Sequence, residues 1–159
     1  FAGLGRTKFT VLRHSNIYGP HDKYDLEQSH MFGATVTKVM TSTDGKIVVW
    51  GEGEEARDLL HVRDLVNCVE LSIERQQEAF GLFNIGYGEA FTVKDVVMKI
   101  IAASGRDIEI TFDRTKPTIK TSLFLDCARA SAALGWYPQT SFQNGVQSTL
   151  NWYRNAFSS

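Results

Sequence analysis

The eighteen residues from Arg13 to His30, R-H-S-N-I-Y-G-P-H-D-K-Y-D-L-E-Q-S-H, crowd together side chains that can do chemistry. Imidazole titrates near neutrality, so His30 suits either the donation or the removal of a proton. The competing reading of His30 is a cap on the helix that follows. Asn16 offers a donor and an acceptor to a sugar hydroxyl or a carboxamide. It would equally close an Asn-type turn ahead of Gly19-Pro20. Arg57 carries the forked guanidinium that grips a diphosphate, while Glu54, Glu55 and Asp58 beside it offer a surface ion pair instead. Lys120 has the same two readings.

Other reactive types read more plainly. His61, between D-L-L and a helical segment, is expected to be a structural hydrogen-bonder. His14 and His21 flank the polar run as exposed groups. With Asp22 and Asp25 they match no established ligand spacing, so no metal is expected. Trp136, Trp152 and Phe142 read as packing groups rather than a nucleobase stack. Gly86 and Gly88 lack the third glycine and the Lys-Ser/Thr of a phosphate loop, and read as a strand-ending turn.

These residues need elements to hold them. A short apolar strand, Lys8–Leu12, feeds the polar run, and strand ends of that kind are where α/β proteins bind ligands. Met31–Met40 has near-helical apolar spacing. Ile47–Trp50 is a strand between the Asp44-Gly45 turn and Gly51. Val62–Glu74 is a helix whose apolar stripe, Val62, Leu65, Val66, Val69 and Ile73, is expected to face inward. Leu82–Ile85 is a strand, and Thr92 caps a helix with Asp95 at its third position and Gly105 as its stop. Ile108–Phe112 is a strand, the Pro117 region a loop, and Cys127–Leu134 a short helix ended by Gly135. Ser141 caps the last helix, running to Ala156, with Val146, Leu150 and Tyr153 inward.

The order of elements makes a mixed α/β class. Lys8–Leu12 and Leu82–Ile85 are uninterrupted apolar runs, as in parallel strands buried on both faces. A pair of such strands alone leaves its edges open, so both call for neighbours. The 159 residues fit one domain. Seventeen basic against eighteen acidic side chains give a net charge of −1, which excludes a polyanion-binding surplus, so no nucleic-acid partner is expected. No apolar run is long enough to span a bilayer and the first residues show no signal pattern. Cys68 and Cys127 lack metal spacing and read as free thiols. A soluble cytoplasmic protein with no membrane partner is the expectation.

Four landmarks carry a resemblance: R-x-S-N-I-Y-G-P at 13–20, R-D-L-L-H-V-R-D-L at 57–65, F-N-I-G-Y-G at 83–88 and L-D-C-A-R-A-x-x-x-L-G-W-Y-P-x-T-S-F-x-x-G at 125–145. In that order they resemble the second half of the extended short-chain dehydrogenase/reductases, the NAD(P)-dependent nucleotide-sugar epimerases, dehydratases and reductases. The run N-I-Y-G-P-H-D-K-Y-D-L-E-Q-S-H-M-F is most similar to the GDP-L-fucose synthase branch.

The resemblance implies an α/β fold: the C-terminal part of an NAD(P)-binding Rossmann-type fold, its last parallel strands in 1–20 and 80–90. A small mixed α/β substrate-binding domain would take up 21–79 and 91–159. It implies His30 as the catalytic acid and base, and Ser15, Asn16, Ile17 and His30 around the nicotinamide of NADP or NAD. Asn16, Trp50, Arg57 and Lys120 would hold the nucleotide sugar. The complete enzyme would perform 3,5-epimerisation and 4-reduction of GDP-4-keto-6-deoxymannose. A UDP-, CDP- or dTDP-sugar enzyme of the same family is the alternative, and a non-catalytic nucleotide-sugar binding module the second.

Two departures bear on this. Ser122 and Leu123 stand where the family usually carries a basic phosphate contact. The G-x-x-G-x-x-G cofactor cradle and the Tyr-x-x-x-Lys proton-transfer pair are absent from these 159 residues. The chain alone is therefore expected to be inactive, and to need the N-terminal half of such an enzyme, or a homo-oligomer, as partner.

Overall fold

A computed structural model describes residues 2–5, 7–116 and 121–157. The chain builds three small sheets, and the strand that joins them into one body is β4, Ala56–His61. Along one side of β4 run β2 (Asn16–Tyr18), parallel to Leu59–His61, and β8 (Ser122–Leu123), parallel to Ala56 and Arg57. On the other side β6 (Ala90–Thr92) pairs antiparallel with Ala56–Asp58. The remaining pairs are both parallel: β1 (Phe9–His14) with β5 (Phe80–Ile85), and β3 (Lys46–Trp50) with β7 (Glu109–Asp113).

Strand β4 is buried on both faces because successive side chains alternate between two cores. Leu59 packs with Tyr18, Phe32 and Val36, the inner face of α3 (Val93–Ser104), and Phe142, Val146, Leu150 and Tyr153 of α5 (Phe142–Phe157). Its neighbour Leu60 packs with Cys68, Phe83, Ile85, Ala130, Leu134 and Trp136. The continuous D-L-L-H text is thus the signature of a wall between two cores.

The helices follow local signals where those are strong. α3 starts at Thr92, whose hydroxyl accepts the Asp95 N–H at 3.0 Å and donates to its carboxylate at 2.6 Å, and ends at Gly105 in the left-handed region (φ 71°). α5 starts where Ser141 Oγ accepts the Asn144 N–H at 3.2 Å. α1 spans Met31–Thr41 and α4 spans Ala128–Leu134.

Helix α2 (Val62–Arg75) departs from expectation. Its buried residues are Asp64, Cys68 and Ser72, while Val66, Val69 and Ile73 of the predicted stripe are 51%, 42% and 80% exposed. The small face wins because it fits against α4 and β4, and Asp64 at its start is bonded by the segment after α4: its carboxylate accepts the N–H groups of Gln139 and Thr140, each at 3.1 Å. β1 runs two residues beyond its expected end, to His14, and β2 turns part of the polar run into strand. The three-residue β2 and β6 and the two-residue β8 carry no pattern of their own and exist because β4 pairs with them. The Pro117 loop and Lys120 lie outside the described residues.

Candidate functional site

The segment Ser29–Met31, at the start of α1, lies between two cavities. His30 faces the first, of about 470 Å³, with Ser15, Asn16, Ile17, His21 and Asp22. Ser29 and Met31 face the second, of about 530 Å³, with Lys38, Trp50 and Arg57. The structure therefore gathers Ser15, Asn16, Ile17 and His30 at one place, and Trp50 with Arg57 at the adjacent one.

In the first cavity, β2 fixes Asn16: its backbone pairs with Leu59 and its amide donates to the Asp58 carbonyl at 3.1 Å. Asn16 is thus a strand residue, not part of a turn. Ser15 Oγ is buried and has no hydrogen-bond partner. His30 occupies the N-cap position of α1 with extended backbone (φ −69°, ψ 166°), but its side chain makes no capping bond. The helix therefore does not occupy the imidazole, which is exposed along the cavity. The loop before it is held by packing. His21, at φ 68°, sits 4.7 Å from the Trp152 ring, and Tyr24 packs on Trp152, Tyr153 and Phe157. Burial pushes the Tyr18 and Tyr24 phenols far above their ordinary value, so neither exchanges protons near neutrality.

The second cavity has a different character. Trp50, at the end of β3, is 57% exposed and offers a flat aromatic wall. Arg57 Nη1 donates to the Ala56 carbonyl at 3.0 Å and to Thr121 Oγ1 at 3.1 Å. Among the described residues it makes no ion pair with Glu54, Glu55 or Asp58; the ion pairs there are Lys46–Glu109 and Arg114–Glu52. Lys38, which the sequence reading passed over, reaches across from α1 and donates to the Val48 carbonyl at 3.0 Å. A mid-helix lysine gives no signal of its own; only the approach of β3 makes it a second cation of the cavity that holds Arg57, while Lys116 Nζ lies over the Trp50 ring, 5.7 Å from its centroid. Such a pocket suits a planar base on the ring and an anion between the two cations.

A third cavity, about 900 Å³, lies between α2 and α5 and contains the pair His61 and Ser148. His61 Nδ1 accepts the Arg63 N–H at 3.3 Å, capping α2, so a neutral ring carries its proton on Nε2. That proton points at Ser148 Oγ, 3.3 Å away, and His61 cannot take the serine's own. His61 is structural, as expected, and Trp136 and Phe142 are buried packing groups.

The landmark acids are anchors. Asp58 is buried and its carboxylate accepts the N–H groups of Tyr87 (2.7 Å), Leu125 (3.0 Å) and Gly88 (3.4 Å). A side chain at Gly86 would run into that carboxylate, which is why the strand-ending turn needs glycine there. Asp58 thereby ties F-N-I-G-Y-G and L-D-C-A-R-A to the strand that carries Arg57. Among the described residues no group of His, Cys, Asp and Glu converges as a metal would require, and no helix is long and apolar enough to cross a membrane.

Residues 1–86 match the family model described as NAD dependent epimerase/dehydratase family. The GDP-L-fucose synthase of Escherichia coli (strain K12) is 31% identical over 150 residues, covering 87% of this chain and 46% of the relative. The dTDP-4-dehydro-6-deoxy-D-allose reductase of Streptomyces bikiniensis is 27% identical, over 94% of this chain and 44% of its own length. Among solved structures, the UDP-glucose 4-epimerase of Thermotoga maritima, determined with UDP-glucose, superposes with a TM-score of 0.80 at 29% identity. It is covered to 47% of its length by 94% of this chain. The chain spans less than half the length of each of these proteins.

Proposed function

The chain belongs to the NAD-dependent epimerase/dehydratase family, and on that footing we propose that it is the substrate-binding half of an NAD(P)-dependent nucleotide-sugar epimerase/reductase. The reading favoured is the GDP-L-fucose synthase kind, with 3,5-epimerisation and 4-reduction of a GDP-4-keto-6-deoxymannose sugar. In this proposal residues 1–20 and 80–90 supply the last strands of the Rossmann-type sheet, and 21–79 with 91–159 mainly hold the substrate.

One observation supports it above the rest. A cavity with an uncapped imidazole adjoins a cavity with an exposed tryptophan and two cations, and the three residues 29–31 face both. Trp50 would stack on the nucleobase, with Arg57, Lys38 and Lys120 around the diphosphate. The sugar would then extend past Ser29 towards Asn16 and His30. His30 would move a proton at the carbon beside the keto group, its ring nitrogens left free of any capping bond.

The buried, unpartnered Ser15 Oγ and the neighbouring Asn16 fit the carboxamide end of a nicotinamide. When bound, NAD(P) would supply the hydride; Ser15, Asn16 and Ile17 would orient its ring edge. The non-basic Ser122 and Leu123 favour the second reading, in which the base is uracil, cytosine or thymine and the family chemistry is unchanged.

Calorimetric titration with GDP, UDP, CDP and dTDP tests both. The expected result is tightest binding of GDP, weakened at least about tenfold by W50A and by the pair K38Q/R57Q, as removal of an aromatic anchor or paired cations should do. Tighter binding of UDP, CDP or dTDP selects the second reading. Equal binding by the variants would refute the assignment of the cavity.

A further inference from the structure

The cavity that holds Trp50, Lys38 and Arg57 is not lined by cations alone: Glu27 and Glu55 line it too. A carboxylate beside an anion-binding pair opposes the anion unless it meets hydrogen donors of its own. Glu27 is exposed on the loop before α1, but Glu55 is half-buried and firmly placed. After Trp50 the chain turns through Gly51 and Gly53, both left-handed at φ 72° and 73°. It re-enters the cavity wall at Glu55, whose carbonyl accepts the Val93 N–H at 2.9 Å and so continues the β4–β6 ladder. Glu55 and Arg57 are two apart along an extended segment, and both side chains line the one cavity. They do not pair. Among the described residues the Glu55 carboxylate has neither an ion pair nor a hydrogen bond. It is not needed to cap α3, because Thr92 serves that end.

We propose that Glu55 selects the base: its carboxylate accepts the two adjacent donors of a guanine, N1–H and the 2-amino group, while Trp50 stacks on the ring. The inference rests on the nucleotide reading of this cavity and narrows it to one base. An ionised carboxylate only accepts, through two oxygens side by side. Guanine meets it with two parallel N–H groups, as a guanidinium does. Uracil and thymine offer a single N3–H between two carbonyl oxygens, which a carboxylate repels. Cytosine and adenine set one amino group beside a ring nitrogen that is itself an acceptor. The four residues between Trp50 and Glu55 double back, so one cavity receives an aromatic face for the base and an acceptor for its edge. The cations Lys38 and Arg57 are left for the diphosphate.

Calorimetric titration of the chain and of E55Q tests this with GDP, UDP and two analogues changed only at position 2 of the base. Inosine diphosphate lacks the 2-amino group, and xanthosine diphosphate carries a keto oxygen in its place. The unaltered chain should bind GDP at least about tenfold more tightly than either analogue, the loss of one hydrogen bond to a charged group. In E55Q the amide keeps an acceptor for N1–H and turns its NH2 towards position 2. That variant should reverse the order and prefer xanthosine diphosphate to GDP by at least about tenfold, a gain that only a folded protein can show. Should E55Q not fold, the unaltered chain still decides, since equal binding of GDP and inosine diphosphate overturns the proposal. It is also overturned if E55Q keeps the preference for GDP. Equal weakening of GDP, inosine diphosphate and UDP in E55Q overturns it as well, because Glu55 would then hold the ribose diol common to all three. Failure of the cavity reading looks different: W50A and K38Q/R57Q would leave every nucleotide bound as before.

Discussion

Replacing Asp58 by alanine should destabilise the fold more than any change at the cavity residues. Its carboxylate is 2% exposed and receives three backbone N–H groups. Hydrogen bonds to a charged group are worth about 1.5–3 kcal/mol each. The Gly88 bond is the longest, at 3.4 Å, and Gly88 is exposed, so water replaces it at little cost. The Tyr87 and Leu125 bonds are the two that matter. Their loss, less the relief of no longer burying a charge, comes to about 3 kcal/mol. With a urea slope of about 2 kcal/mol per molar for a chain of this size, the midpoint should fall by about 1.5 M. Circular dichroism across a urea series reads it directly. D58N keeps an acceptor for Tyr87 but turns its amide NH2 towards both Leu125 and Gly88, and should fall in between. A D58A midpoint within about 0.3 M of the unaltered protein would refute the reasoning, because the landmark aspartate would then hold nothing together.

Three further outcomes follow from buried groups. Gly145→Ala drives a methyl group into the hydroxyl of the fully buried Tyr18 and should lower the melting temperature by several degrees, an overpacking cost of about 1–3 kcal/mol; an unchanged melting curve would show that the helix can shift freely. Burial holds the His61 imidazole below its ordinary value, so its contribution to stability is complete above the unfolded-state value near 6.5 and is lost as pH falls. The urea midpoint should therefore drop more between pH 7.5 and pH 5 in the unaltered protein than in H61Q; equal drops would contradict the cap assignment. Burial pushes the Cys68 thiol up to about 11, so iodoacetamide at pH 8 should label it only after unfolding, as peptide mapping by mass spectrometry can follow.

Much of this molecule was legible in its sequence because local chemistry agreed with the final fold. Thr92 and Gly105 bracket α3 by their own capping bonds and backbone freedom, and the apolar runs of β1 and β5 mark parallel strands in need of neighbours. What escaped depends on distant residues. The stripe Val66, Val69 and Ile73 was visible, but nothing in its periodicity says which face of the helix the other elements cover. Lys38 becomes part of the second cavity only because β3 passes beside α1. Asp58 and Asp64 stand out as motif residues, yet the backbone groups they bind lie tens of positions away. His30 stands out by residue type and by its place in the resemblance; that its side chain makes no capping bond belongs to geometry.

The alternation of Leu59 and Leu60 has a consequence for how the molecule comes apart. Neither core can melt and leave the other whole, since both lose one wall when β4 detaches. Loosening on the Trp136 side is therefore felt at Tyr18, and spectroscopic signals from the two halves should fade on a single curve. The same sharing makes the five-residue spacing between Ala56 and His61 intolerant of insertion: one added residue would turn every later side chain of β4 to the wrong side at once.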